Sequence, residues 1–179
     1  MDDALQPSFF DRDTRTVARE LLGRVIHACG VEVRILETEA YFPGDSANHA
    51  FKGKTPRNAP MWGSPGHLYV YLCYGMHILV NVVTEAEGRP AAVLIRAGEA
   101  VGGVQTVQAR RGGRLDLIGP GKVGQALGVD VGWSGRLLGD GLTITPGRPP
   151  QGVRTAPRVG IDAADPADVA AHWRYIAED

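Results

Sequence analysis

His67-Leu68-Tyr69-Val70-Tyr71-Leu72-Cys73-Tyr74-Gly75-Met76-His77-Ile78-Leu79-Val80-Asn81-Val82-Val83-Thr84 is the most strand-like stretch of the 179-residue chain. It is rich in Tyr, Val, Leu and Ile and broken only at Tyr74-Gly75, so it reads as two strands joined by a tight turn. On its C-terminal side Ala91 to Ala97 is a further apolar strand. On its N-terminal side a polar loop with Gly and Pro runs from Pro43 to Gly66. Before that loop Val31, Val33 and Ile35 alternate with Glu32 and Arg34, the period of a half-buried strand. Arg24 to Cys29 reads as a short strand that turns at Gly30. Asp13 caps a helix whose stripe is Val17, Leu21 and Leu22 and which ends at Gly23. Fifteen of the 24 glycines lie between Gly98 and Gly152, which predicts short elements joined by tight turns. There Pro120 to Leu127 reads as a short helix, and Leu142–Thr145 and Arg158–Ile161 as short strands. Neighbouring hairpins with few long helices predict an α+β fold with an antiparallel sheet.

Size and composition narrow the function classes. A chain of 179 residues fits one domain with a real core, spanning 1–179. Hydrophobic residues at 44% and charged residues at 22% argue against disorder. No apolar run approaches the roughly 18 to 20 residues of a membrane helix, so no membrane partner is expected. The acidic start Met1-Asp2-Asp3 argues against a secretory signal peptide. Two cysteines, Cys29 and Cys73, are too few for a disulfide framework or a four-cysteine zinc site. A cytoplasmic, reduced chain is the default expectation. The five histidines show no ligand spacing, so no metal site is expected. No G-x-S-x-G or Cys-His signature points to covalent acyl transfer.

The formal net charge of −1 by itself speaks against a nucleic-acid partner, but the charge is unevenly distributed. Residues 46–124 carry nine bases against four acids, and no acid occurs from Ser46 to Thr84, where Lys52, Lys54, Arg57 and three histidines fall. A local positive field of this kind attracts phosphates, unless the segregation along the sequence does not become a surface patch.

Several groups of residues can carry chemistry. If the strand from Val31 stays extended, residues 33, 35, 37, 39 and 41 share a face, so Glu37, Glu39 and Tyr41 extend a buried face toward its rim. Two carboxylates in that position suit general acid–base work; solvated glutamates at a strand end are the alternative. Tyr69 and Tyr71 share a face, either as a cross-strand aromatic core or as part of a pocket. Tyr74, placed beside a glycine at a turn near a basic loop, could stack on a base or wedge into a duplex. Asn81 and Arg96 are polar residues inside apolar strands and need partners. Arg96 could pair with Glu37 or Glu39, or hold a water or a phosphate. Gly119-Pro120-Gly121-Lys122 lacks the spacing and the Ser/Thr of a nucleotide-binding loop, but Lys122 at a helix start could touch a DNA phosphate.

Taken in order, Glu37-Thr38-Glu39-Ala40-Tyr41, Asn48-His49, Lys54-Thr55-Pro56-Arg57-Asn58, Gly66 to Met76, Asn81, Val93 to Ala97 and Gly119 to Lys122 resemble the alkyladenine (3-methyladenine) DNA glycosylase family, vertebrate-enzyme type. The resemblance covers about residues 8 to 175. It implies one glycosylase domain with a curved, mainly antiparallel sheet flanked by short helices. It also implies a monofunctional base-excision repair enzyme. Such an enzyme flips alkylated purines (3-methyladenine, 7-methylguanine, with hypoxanthine and ethenoadenine as further candidates) out of double-stranded DNA and hydrolyses the N-glycosidic bond. By resemblance Glu39 activates the water, which Arg96 and the Val159 main-chain carbonyl help position. Tyr41, His49 and Tyr71 enclose the base and Asn81 disfavours an unmodified guanine. Tyr74 and Met76 belong to the intercalating tip, and Lys54, Thr55, Arg57 and Lys122 contact phosphates. No cofactor is implied. A monomer, cytoplasmic and nucleoid-associated in a bacterium or nuclear in a eukaryote, is expected. No lysine is placed for Schiff-base chemistry. Two other readings compete. A flipping protein without catalysis would have no use for Glu39, and a nucleoside hydrolase would have none for Tyr74 and the basic loop.

Overall fold

The sheet is organised around one long strand. In the computed structural model, which describes residues 3–179 and so leaves Met1 and Asp2 of the acidic start outside, β2 (Val31–Tyr41) pairs along one edge with β5 (Ala92–Gly102). Its other edge is divided. β1 (Val25–Ala28) pairs with Val31 to Arg34, and β9 (Arg174–Glu178) pairs with Glu37 to Glu39. Beyond β5 come β4 (His77–Val83) and β3 (Leu68–Cys73); beyond β1 comes β7 (Leu142–Thr145). β6 (Leu117–Ile118) adds to β5, and β8 (Gly152–Ala156) to β9. Every pairing is antiparallel, and the nine strands form one curled sheet. The α+β reading and its short flanking helices hold.

Two tight turns set the hairpins. Cys29 and Gly30 join β1 to β2, and Tyr74 and Gly75 join β3 to β4; all four have positive φ. This backbone matches the twist of the strands it joins, and Gly75 adopts it without a Cβ penalty. Tyr74 has no such freedom. At φ 50° it holds a conformation that costs a non-glycine residue about 1 kcal/mol or more.

Five short helices cover the sheet: α1 (Pro7–Phe10), α2 (Thr14–Glu20), α3 (Val104–Arg110), α4 (Pro120–Leu127) and α5 (Pro166–Ala170). The Asp13 carboxylate accepts from the Thr16 N–H and caps α2, whose Val17 and Ala18 are fully buried. The Thr38 hydroxyl donates to the Ala18 carbonyl at 2.7 Å, which ties α2 to β2. α4 packs on β4 so closely that a Cβ at Gly124 would lie 2.1 Å from the Ile78 carbonyl oxygen. The main core runs from Phe10 through Ile26, Val33, Ile35 and Ile95 to Leu127; a smaller cluster of Ala50, Met61, Tyr69, Val83 and Ala92 anchors the 43–66 loop.

Two features differ from the sequence reading. Arg158 to Ile161 is an irregular loop, and the strand pairing nearby belongs to β8 and β9 instead. The side chain of Arg158 explains this, because it turns inward to a buried carboxylate instead of alternating along a ladder. The alternation along β2 is also interrupted. Register shifts against β5 fall between Ile35 and Glu37 and between Glu37 and Thr38, so the end of the strand does not simply continue the face of Val33 and Ile35.

Candidate active site

The end of β2 enters a cleft of about 870 Å³, within the range usual for ligand sites. Glu39 lies on its floor with no exposed surface, and each carboxylate oxygen accepts one uncharged donor. The Tyr41 hydroxyl donates to Oε2 at 2.7 Å and the Val159 N–H donates to Oε1 at 2.9 Å. Arg96 Nε stands 3.6 Å from Oε1. A carboxylate oxygen has two lone pairs, so each keeps one that its present donor does not use.

Glu37, two residues earlier, sits in a different environment. Its Oε1 lies 2.9 Å from Arg96 Nε and accepts from Arg174 at 2.9 Å. The two acids are therefore not an equivalent pair. Arginines neutralise Glu37, while Glu39 is held mainly by a phenol and a backbone amide. Of the two partners considered for Arg96, Glu37 is the nearer. Burial, followed by the neighbouring Glu39 charge, pushes the Tyr41 hydroxyl well above its ordinary range, so it stays a donor at neutral pH.

An aromatic wall rises from β3. Tyr71 faces His49 edge-on at 4.6 Å, and Tyr69 and Tyr71 lie 5.2 Å apart. His49 Nδ1 and the Tyr69 hydroxyl are 2.9 Å apart. The outer surface of His49 stays exposed, yet packing of its ring, then the nearby Arg57, lowers its proton affinity. Burial raises Tyr69 to about 12 and raises Tyr71 as well. Asn81 is buried and spends its amide on the Tyr69 carbonyl at 3.0 Å.

The 43–58 loop is tied together by two side chains. Asn48 donates to the carbonyls of Phe42 and Pro90 and accepts from the Ala50 N–H. Asn58 donates to the carbonyls of His49 and Gly53 and accepts from the Thr55 N–H. These two buried side chains bracket His49 and replace a ladder the loop lacks.

Ten of the residues singled out from sequence line this one cleft: Glu39, Tyr41, His49, Arg57, Tyr71, Tyr74, Asn81, Arg96, Lys122 and Val159. Lys54, Thr55 and Met76 lie outside its wall. Tyr74 is 86% exposed at the hairpin tip with Met76 beside it. Arg57 donates to the Leu72 carbonyl and lies over the Tyr71 ring, Lys122 is ion-paired with Asp116, and the Thr55 hydroxyl accepts from the Asn58 N–H. Val159 meets Glu39 through its amide. Arg111 and Arg114 also line the cleft and were missed; they come from the glycine-rich segment, where no periodicity marks a face. The buried Arg158–Asp45 pair was missed too, and nothing in the spacing of two residues 113 apart marks it. No group of three or more His, Cys, Asp or Glu side chains among the described residues is arranged to hold a metal ion.

The sequence pattern of methylpurine-DNA glycosylases matches residues 8–179. The chain belongs to that family. A DNA-3-methyladenine glycosylase of Arabidopsis thaliana is 47% identical over 182 residues, covering 98% of this chain and 72% of the relative. A protein of Nitrosococcus oceani, named as a proposed 3-methyladenine DNA glycosylase, is 48% identical over 185 residues, covering 100% of this chain and 92% of the relative. A protein of Methanoculleus marisnigri with the same proposed name is 46% identical, covering 89% and 90%. As a family member the chain is a DNA glycosylase, a hydrolase of base-excision repair acting on DNA. No helix among its described residues is long and apolar enough to cross a membrane.

Proposed function

We propose that the chain, as a single domain and a monomer, excises alkylated purines from duplex DNA. 3-Methyladenine and 7-methylguanine are the primary substrates, with hypoxanthine and ethenoadenine next in the range. The observation that carries this reading is the fully buried Glu39 at the floor of a cleft with an aromatic wall and an exposed tyrosine at its rim.

A stacked base cannot be attacked, so the nucleotide is turned out into the cleft, and Tyr74 fills the gap with Met76 beside it. Tyr41, His49 and Tyr71 take up the purine. An alkylated ring carries positive charge and is attracted to electron-rich faces. The Asn81 side chain crowds the exocyclic amine of an unmodified guanine. Lys54, Thr55, Arg57 and Lys122 meet the backbone phosphates; Lys122 exchanges Asp116 for a phosphate when it does so.

Glu39 then takes a proton from water. The water oxygen bonds to C1′ as the C1′–N bond breaks, and the electron pair leaves with the purine. A cationic purine departs neutral, so it needs no acid. The developing oxocarbenium charge lies beside the same carboxylate. Arg96 and the Val159 backbone hold the water. The product is an abasic site, and the reading includes no lyase step.

The test is a panel of duplexes, each with one modified purine, scored for abasic sites with wild type and Glu39→Gln. Excision by wild type and not by Glu39→Gln is expected. Equal excision by both would remove Glu39 from the mechanism.

A further inference from the structure

We propose that Arg158 is the positioning residue of the site, one guanidinium that fixes both uncharged donors on Glu39; this rests on Glu39 acting as proposed above. The side chain of Arg158 is completely buried. It forms two parallel bonds to the Asp45 carboxylate, at 2.5 and 2.8 Å, and donates to the Ala40 carbonyl at 3.0 Å. Ala40 is the residue between Glu39 and Tyr41. The guanidinium carbon lies over two rings, 4.6 Å from the centre of Tyr41 and 4.9 Å from that of Trp173.

Each donor on Glu39 therefore depends on this group by a separate route. Tyr41, which donates to Oε2, is packed against the guanidinium. Val159, which donates to Oε1, is the next residue in the chain, and its loop has no strand ladder to hold it. That loop is anchored by the Asp45 pair. Nearby, Asp168 adds a second tie by accepting from the Ser46 hydroxyl and amide. The side chain of Val159 itself is half exposed and does not fix the loop by packing.

Asp45 pairs with the Arg158 charge, and the guanidinium acts on Glu39 through the positions of Tyr41 and the Val159 loop. Arginine is needed because a lysine cannot make the bidentate fork and lie flat over the rings at once. Reacting groups displaced by about 1 Å lose roughly a hundredfold in rate. Arg158 touches one ring that meets the purine, Tyr41, but not Tyr71, His49 or the phosphate-facing rim, so most of its effect belongs in the chemical step.

The experiment compares Arg158→Lys with wild type in single-turnover excision and in binding to a lesion-bearing duplex, below the melting temperature of both. Excision should slow by about 10²-fold, the cost of such a displacement, while binding, which keeps Tyr71, His49 and the phosphate contacts, weakens by less than about tenfold. Tyr41→Phe added to Arg158→Lys should cost less than it costs in wild type, because the same donor is already misplaced. If Arg158→Lys does not fold, Asp45→Asn loosens the same guanidinium and should give the same pattern. Wild-type excision in either folded variant would overturn the proposal. So would a parallel loss of binding and rate with Tyr41→Phe fully additive, which marks a general structural role. Failure of the parent reading looks different, because then Glu39→Gln itself retains excision.

Discussion

The floor and the rim of the cleft are built on opposite plans. Glu39 on the floor has no exposed surface and a donor on each oxygen. Tyr74 at the rim is 86% exposed and takes part in no hydrogen bond or aromatic pair among the described residues. The difference is one of timing. The floor is complete before anything binds, which is how a site avoids reorganising its dipoles during a reaction. On the proposed reading, the rim acquires its contacts only when a duplex arrives. Its sole preparation is the strained backbone at φ 50° that projects the ring outward.

The sharpest way to break this comparison is at the floor. Glu39→Gln should lower excision by about 10² to 10⁴, the usual contribution of a general base, with lesion binding retained. Gel-resolved abasic cleavage measures the first and fluorescence anisotropy the second; a loss in binding alone would move Glu39 from chemistry to recognition. Next in size is Asp45→Ala. It leaves the completely buried guanidinium of Arg158 without its carboxylate and should cost about 3 to 5 kcal/mol in urea unfolding. A cost within experimental error would mean the floor tolerates an unpaired charge.

Tyr74→Ala probes the rim. It should leave unfolding within about 0.5 kcal/mol of wild type, since the ring is exposed and alanine keeps the Cβ responsible for the strain at this φ. Binding to a lesion-bearing duplex should weaken by about 1 to 3 kcal/mol, the usual worth of a stacking ring. A large stability loss with unchanged binding would invert the comparison.

The smallest effect is in pH. Packing lowers His49 below its ordinary value of 6.5, so between that lowered value and 6.5 the unfolded chain binds more protons at this position than the folded one. Stability from this group is thus present above 6.5 and is lost as pH falls below it. The urea midpoint should drop more steeply from pH 7 to 5 in wild type than in His49→Gln; parallel slopes would show that the imidazole is not held neutral.

Much of the architecture was written in local pattern. The Tyr74-Gly75 break fixed a hairpin, Asp13 fixed a cap, and a Pro after a glycine fixed the start of α4, because each is a property of a few neighbouring residues. The candidate floor was only half legible. Alternation from Val31 pointed to Glu37, Glu39 and Tyr41, but it could not separate the two acids. That separation comes from Arg174, 137 residues away on β9, and from shifts in register against β5. Arg158 was invisible for the same reason, since its partner is set by the tertiary path of two loops. Local signals do not report long-range pairings of this kind, and composition does not either.

The divided edge of β2 has a consequence for how the protein comes into being. Glu37 and Glu39 lie on a strand made early, but the neighbour that completes it, Arg174 to Glu178, begins 137 residues after Glu37. Until then the growing chain carries its acidic pair on an unfinished edge, without Arg174 and without the loop of Val159. The candidate floor therefore closes only after those distant residues are made, through contacts whose long sequence separation slows folding.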